Sequence, residues 1–137
     1  MVNSLGSVLI LTFSGIPNAL IHFKSRDLTT LHKQGQFWHI FFSDGGAIIS
    51  QDEVDTWTIH CPIPPEKTFE SLDPVQALYD KLGAAAGTCL IQVDEILLFS
   101  KWQPSICYAE QYTSPGGRIL LAGDAAHQNI PTGGYGE

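Results

Sequence analysis

Short β-prone runs separated by turn-forming residues fill the middle of the first half of the chain and constrain its fold most. The run 37–42 leads into an Asp-Gly-Gly turn at 44–46, and the runs 47–51 and 56–61 follow closely. Asp-Gly between two β-prone runs is a strong hairpin signal. The spacing therefore predicts an antiparallel meander, in which alternate residues of each strand share a face.

One helix stands out from the rest of the sequence. Asp73 occupies its cap position, Pro74 its first helical position, and Gly83 the place where a C-terminal cap belongs. One or two further helical turns are predicted to end at Gly35. The other predicted elements are short strands, at 8–13, 19–23, 89–93, 96–100, 105–112 and 118–122.

These elements define the fold class as α+β, an antiparallel β-sheet with few helices. No GxGxxG sequence follows an opening strand in these 137 residues, so a dinucleotide-binding βαβ unit is not predicted.

Composition and charge exclude several classes of function. Seven Lys and Arg stand against fourteen Asp and Glu, and the net charge of −7 disfavours nucleic-acid binding. Three widely spaced cysteines indicate neither a disulfide framework nor a zinc site, and they favour a reducing, cytoplasmic location. No apolar run approaches the roughly 18 residues of a membrane span. Only 15% of residues are charged and 44% are hydrophobic, so further surface is expected to be buried against something else.

The candidate chemistry is concentrated in residues 116–137, which contain six of the thirteen glycines. The run 118–122 is predicted to be a buried strand, and Gly123 then allows a sharp turn. Asp124, at the exit of that strand, can accept hydrogen bonds from backbone amides or from a ligand hydroxyl. The glycines after Pro131 can present amide donors to an anionic or carbonyl-bearing ligand. An ordinary glycine-rich turn would explain the glycine content alone.

The whole string is more specific than its glycines. It reads Gly-Arg-x-Leu-Leu-Ala-Gly-Asp-Ala-Ala-His and then Pro-x-Gly-Gly-x-Gly, contiguously from Gly117 to Gly136. This string resembles the second FAD-binding motif of the FAD-dependent aromatic-ring monooxygenases, the para-hydroxybenzoate-hydroxylase-like family, and is similar to fungal members found in secondary metabolism. Upstream, the segments similar to that family's substrate-domain sheet and to the stretch before the motif are 22–28, 37–42, 100–104 and 109–112.

The resemblance implies a role for each motif position. Asp124 would accept a hydrogen bond from a ribityl hydroxyl of FAD, and Gly123 would keep that approach open. Pro131 would lie beside the isoalloxazine ring, and the amides around Gly133 and Gly134 would face the pyrimidine carbonyl of the flavin.

Other candidate residues are less specific. His127 matches a motif position near the cofactor, with a structural role in the loop as the alternative. Substrate contacts would come from the exposed face of the 37–61 sheet, where core packing is the alternative for each side chain. The candidates are Phe37, Trp38, His39 and Trp57. A metal or hydrolase site built on Asp124 and His127 has little support, because Asp-x-x-His alone lacks further ligands at helical spacing.

The resemblance also implies an organisation of the chain. Residues 1–16 are an uncertain N-terminal segment, 17–112 a substrate-domain-like β-sheet region, and 113–137 a truncated FAD-binding motif. The sequence resembles an interior slice of the aromatic hydroxylase fold, without the N-terminal dinucleotide-binding βαβ unit of the family.

The implied function is NAD(P)H- and O2-dependent hydroxylation of an aromatic or polyketide-like small molecule, with FAD as cofactor. The chain alone is expected to be inactive, and a partner chain carrying the missing dinucleotide-binding half is a further expectation. The alternative is a non-catalytic remnant, or an accessory module that binds FAD or substrate.

Overall fold

The computed structural model describes residues 9–35, 37–83 and 89–129. The chain divides into two compact units, one formed by residues 17–102 and the other by residues 1–16 together with 103–137. In chain order the strands are β1 (Leu9–Ser14), β2 (Asn18–Lys24), β3 (His39–Phe41), β4 (Ala47–Ser50), β5 (Thr56–Pro62), β6 (Glu95–Trp102), β7 (Ser105–Ala109) and β8 (His127–Gln128). The helical elements are α1 (Pro74–Gly83) and the short 3₁₀ helices Asp27–Gln34, Phe69–Ser71 and Gly123–Ala125.

The unit 17–102 is built on an antiparallel sheet of strand order β3-β4-β5-β2-β6. The predicted meander is therefore confirmed, with β2 inserted between β5 and β6. One face of the sheet packs into the core, and α1 covers it through Leu78, which is fully buried. The buried side chains of that face come from alternate positions of β2 and β5, namely Ala19, Ile21, Phe23, Trp57, Ile59 and Cys61.

The turn between β3 and β4 confirms the predicted hairpin. Gly45 and Gly46 have positive φ angles of 89° and 82°, which L side chains rarely adopt. A Cβ at Gly46 would lie 2.1 Å from the carbonyl oxygen of His60, so the backbones approach each other too closely for any side chain. This close approach fixes the hairpin against β5.

Helix α1 begins as the sequence predicts. A carboxylate oxygen of Asp73 accepts a hydrogen bond of 2.8 Å from the amide of Gln76, which satisfies one of the free donors of the first turn. The burial of Lys81 is not indicated by the sequence. Its ammonium group pairs with the Asp44 carboxylate in the hairpin turn and lies 5.0 Å from the centroid of the Phe42 ring. The helix is thus tied to the hairpin by a charge pair as well as by apolar packing.

A carboxylate also organises the turn before β5. One oxygen of Asp52 accepts hydrogen bonds of 2.9–3.0 Å from the amides of Val54, Asp55 and Thr56. Hydrogen bonding from Thr56, and then from the amides of Val54 and Asp55, lowers the pKa of Asp52 to about 2. The charged form of the side chain therefore holds the turn closed.

We expect Asp52→Ala to lower the free energy of unfolding by about 1 kcal/mol at pH 7, as the loss of a capping side chain does. Because the pKa is lower in the folded state, this contribution is present above pH 4 and is lost as pH falls towards 2. Denaturant unfolding at pH 7, 4 and 2 measures the difference between the two proteins. Asp52→Asn, which keeps an acceptor oxygen, is the control and should lose less stability. An equal loss at pH 7 and pH 2 would contradict the ionic explanation.

The second unit is a small antiparallel sheet of order β1-β7-β8. β7 pairs with β1 from Leu9↔Ala109 to Ser14↔Ser105, and with β8 through Cys107↔Gln128 and Tyr108↔His127. Residues 103–112 therefore group with the first sixteen residues, through the β1–β7 pairing, and not with the five-stranded sheet. The functional division at 112/113 stays a prediction.

The predicted strand at 89–93 is wrong. Side chains bind the backbone of Gln92: the Ser25 hydroxyl donates to its carbonyl at 2.7 Å, and its amide donates to Asp27 at 2.8 Å. Arg26 forms an ion pair with the neighbouring Asp94 at 3.0 Å. These contacts hold the segment as irregular chain before β6 begins.

The predicted buried strand at 118–122 is also wrong. Its pairing among the described residues is a single bridge from Leu120 to Thr113. Ile119 and Leu120 are 52% and 72% exposed. A β-prone run needs neighbouring strands to satisfy its backbone and cover its side chains, and one bridge to a described residue does not supply them.

No helix in the described segments is long and apolar enough to cross a membrane.

Candidate functional site

A tight turn positions the central carboxylate of the glycine-rich motif. Ala122 is extended, with φ −145° and ψ 161°, and Gly123 then reverses the chain with a φ of +56°. The 3₁₀ turn Gly123–Ala125 is closed by a hydrogen bond of 2.8 Å from the amide of Ala126 to the carbonyl of Gly123. The positive φ gives a physical reason for glycine at this position, because most other residues would be strained there.

The far end of the turn is anchored on β7. The amide of Ala109 donates to the carbonyl of Ala126 at 2.6 Å, and Ala126 is 1% exposed. The Cys107 thiol lies 3.4 Å from the side-chain oxygen of Gln128, across the β7–β8 pair. Asp124 is therefore presented from a turn whose end is fixed to the sheet of its own unit.

The Asp124 carboxylate is exposed, and it makes no hydrogen bond to another described residue. An exposed carboxylate on a fixed turn is an acceptor ready for a ligand hydroxyl. The next residue, Ala125, is also exposed and small, so it leaves room for a ligand at the turn. The described half of the motif thus has the exposed acceptor that the predicted ribityl contact requires.

His127 is half-buried in β8, and its Nδ1 lies 3.2 Å from the side-chain amide nitrogen of Asn129. An amide nitrogen only donates, so Nδ1 accepts this bond. This contact is local to the loop, and both predicted roles of His127 stay predictions. The described residues hold no cluster of three or more His, Cys, Asp or Glu side chains able to bind a metal ion. The predicted cofactor contacts of Pro131, Gly133 and Gly134 lie outside the described residues.

The unit 17–102 has a second face on its sheet, opposite the core, which we call the open face. Strand register places one row of side chains across it, because directly paired residues point to the same side. That row is His39, Ile49, Thr58, His22 and Leu98. The next row is Phe41, Ala47, His60, Leu20 and Ser100. Three histidines therefore share this face.

The structure separates the four predicted substrate residues, and Phe37 packs against the core. His39 is exposed on the open face, and the ring of Trp38, 74% exposed, lies 5.3 Å from it. Trp57 is fully buried on the core face, where its Nε1 donates to the carbonyl of Ser25 at 3.1 Å. Its ring stacks with those of His32 and Phe37, whose centroids lie 4.9 Å and 6.3 Å away. Trp57 therefore has the core role that the sequence left open as the alternative, and no surface for substrate contact.

The sequence does not single out a hydrogen-bonded group on the open face. Nδ1 of His22 lies 2.8 Å from the Thr58 hydroxyl, and the side-chain amide of Gln51 donates to the same hydroxyl at 2.9 Å. His22 and Thr58 are 36 residues apart, so only the β2–β5 register brings them together. In the sequence, the pattern that points towards this hydrogen-bonded group is the alternation of Thr56, Thr58 and His60 on one face of the third predicted strand.

Two other titratable side chains of this unit have perturbed environments. Burial, and then the nearby His39, lowers the pKa of His60, whose ring meets Trp102 edge-on at 5.7 Å. Burial raises the pKa of the Cys61 thiol to about 12, so this cysteine is a packing residue and not a nucleophile.

Solved structures share this fold. The rebeccamycin biosynthetic enzyme RebC with reduced flavin aligns with 97% of this chain and 24% of its own, with a TM-score of 0.70 at 20% identity. A ternary complex of aklavinone-11 hydroxylase with FAD and aklavinone aligns with 96% and 24%, with a TM-score of 0.69 at 23% identity. This chain therefore shares its fold with parts of these two proteins, and the predicted fold class is confirmed.

The sequence identifies the family. The FAD binding domain family model matches residues 12–137, and this chain belongs to that family. The chain is 51% identical to the FAD-dependent monooxygenase apdD of Emericella nidulans, over 85% of its own length and 20% of that protein. It is 53% identical to the FAD-dependent monooxygenase opdD of Penicillium oxalicum, over 85% and 24%. A putative polyketide hydroxylase of Streptomyces coelicolor is 32% identical over 87% and 19%.

These matches confirm the family resemblance and FAD as the cofactor of the family. The chain spans about a fifth to a quarter of the length of the curated relatives.

Proposed function

We propose that this chain supplies the substrate-domain sheet and part of the FAD site of a monooxygenase that hydroxylates an aromatic or polyketide-like small molecule. The observation that carries the proposal is the folded motif: Gly123 turns with positive φ and presents an exposed Asp124. It lies in a chain about half identical to two FAD-dependent monooxygenases.

In this proposal FAD, reduced by NAD(P)H, supplies the oxygen chemistry, and the protein supplies binding and orientation. Asp124 accepts a hydrogen bond from a ribityl hydroxyl, which fixes the middle of the cofactor. Gly123 and Ala125 leave the approach to that carboxylate open. Pro131 would border the flavin ring, and the amides of Gly133 and Gly134 would donate to its pyrimidine carbonyl.

The open face of the five-stranded sheet is the proposed substrate surface. It combines flat apolar side chains with histidine and hydroxyl groups, which suits an oxygenated aromatic molecule. His39 is its exposed candidate; Trp38 is also exposed, with its ring 5.3 Å from that of His39, and Trp57 supports the face from the core. The relatives include a putative polyketide hydroxylase, and one similar structure contains aklavinone, so the proposed substrate class is polycyclic and rich in oxygen.

Two further elements belong to the proposal. A polypeptide carrying a dinucleotide-binding half would complete the FAD site, because the sequence of these 137 residues contains no GxGxxG turn. We also propose a cytoplasmic location, where a reducing environment suits the free thiols of Cys61, Cys89 and Cys107.

The test is a transplanted enzyme: the Penicillium monooxygenase with its matching segment replaced by this chain. We expect it to retain FAD, to oxidise NADPH faster when a hydroxylated polycyclic substrate is present, and to transfer one atom of ¹⁸O2 to the product. Mass spectrometry of the product measures that transfer. Retained FAD without any turnover would favour the accessory binding module instead. A transplanted enzyme that folds but binds no FAD would overturn the proposal.

A further inference from the structure

The open face contains one imidazole whose hydrogen-bonding state is set by its neighbours. Thr58 is buried, with 6% of its surface exposed, and its hydroxyl accepts a hydrogen bond from the side-chain amide of Gln51. Its own proton also needs an acceptor, because a buried unsatisfied donor is costly. Among the described residues the available acceptor is Nδ1 of His22, 2.8 Å away.

The two hydrogen bonds that link Gln51, Thr58 and His22 run in one direction. The Gln51 amide donates to Thr58, and the Thr58 hydroxyl donates to Nδ1 of His22. A neutral imidazole with an accepting Nδ1 carries its proton on Nε2. Nε2 has no hydrogen-bond partner among the described residues, and it is not among their buried unpartnered atoms. His22 therefore presents an N–H donor to whatever lies on the open face.

The side chains around His22 indicate which kind of ligand group this donor can bind. On β6 its register partner is Leu98, 51% exposed, and the same strand ends with Trp102. Leu20 and His60 occupy the adjacent row. On its other side the neighbouring row is polar, with Lys24, Thr56 and Glu95. An N–H donor beside the apolar side chains of Leu98 and Leu20 suits an oxygen acceptor on a flat molecule.

The other two histidines of the face lack this arrangement. His39 is exposed and contacts the rings of Trp38 and Phe41, and no hydrogen bond fixes its tautomer among the described residues. His60 is held edge-on to Trp102. His22 is thus the imidazole of the open face with a defined donor.

We propose that His22 is a substrate-orienting residue, which donates a hydrogen bond from Nε2–H to a carbonyl or phenolate oxygen of a polycyclic substrate, with Thr58 and Gln51 fixing its tautomer. This proposal rests on the proposed function and names the contact that sets the orientation of the substrate. It adds a residue on β2, outside the sheet segment 37–61 to which the sequence points.

The test uses two soluble probes that differ in their oxygen acceptors, anthraquinone-2-sulfonate and anthracene-2-sulfonate. Titration calorimetry on the full chain measures the affinity of each. We expect the quinone to bind about three- to tenfold more tightly, which is the effect of one hydrogen bond to a neutral carbonyl. An absent preference in the unsubstituted chain would overturn the proposal.

Two substitutions separate the inward and outward nitrogens of the ring. His22→Asn places an oxygen near the position of Nδ1, so it keeps the Thr58 contact and loses the outward donor. His22→Gln places an amide N–H near the position of Nε2, so it keeps the outward donor. We expect the quinone preference to disappear in His22→Asn and to persist in His22→Gln, with similar thermal unfolding of both. A preference that survives His22→Asn would overturn the proposal.

FAD titration of the transplanted enzyme keeps the two proposals distinguishable. If the quinone preference depends on His22 but the transplanted enzyme binds no FAD, the proposed function is wrong and the His22 contact stands. If the transplanted enzyme retains FAD and turns over, but the chain shows no quinone preference, the His22 proposal is wrong and the proposed function stands.

Discussion

Asp124→Ala is expected to weaken FAD binding about ten- to a hundredfold in the transplanted enzyme, because a hydrogen bond to a charged acceptor is worth roughly 1.5–3 kcal/mol. The carboxylate is exposed and makes no hydrogen bond to another described residue, so its removal should leave the turn at Gly123 intact. The measurement is a titration of the apoprotein with FAD, followed by flavin absorbance, together with thermal unfolding to show that the fold is unchanged.

Two control variants make this result specific. Asp124→Asn keeps one acceptor oxygen without the charge, and we expect it to lose less affinity than the alanine variant. Glu110→Ala removes an exposed carboxylate from the same unit outside the motif, and it should bind FAD as the unsubstituted protein does. Unchanged flavin retention in Asp124→Ala would remove this residue from the cofactor site.

Local signals predicted much of the fold because they depend on neighbouring residues. The Asp-Gly-Gly turn with its two positive φ angles, and the cap of α1 by Asp73, are determined within a few positions of the chain. The turn at Gly123 is of the same kind. The failures at 89–93 and 118–122 have the opposite cause, since a β-prone run becomes a strand only where another strand is adjacent.

The open face shows which features of the fold local sequence patterns cannot predict. Alternation correctly grouped Trp57, Ile59 and Cys61, but alternation alone does not say which face meets the core. The elements that pack on one face decide that, and Trp57 is buried against the rings of His32 and Phe37. The contact between His22 and Thr58 depends on a register 36 residues apart, which no local pattern contains. Lys81 is similar, because its burial follows from the position of the hairpin turn and not from its place on the helix.

The 137-residue polypeptide alone is expected to show no FAD-dependent oxidation of NADPH. Hydroxylation requires FAD to be held along its whole length, since a displaced ring cannot act on a positioned substrate. This polypeptide offers Asp124 and the glycines that follow, and its sequence contains no GxGxxG turn to give amides to the pyrophosphate.

Each missing contact is worth about 1–3 kcal/mol, so losing several moves a cofactor affinity of about nanomolar to micromolar towards millimolar. The assay follows NADPH absorbance with FAD and a panel of phenols, first for the polypeptide alone and then for the transplanted enzyme as the positive control. Turnover should appear only where the dinucleotide-binding half is present, because only there do the pyrophosphate and the ribityl chain have partners at the same time. Substrate-stimulated oxidation by the polypeptide alone would mean that these contacts suffice to hold FAD, and that the pyrophosphate contacts contribute far less to cofactor binding than this reasoning assigns to them.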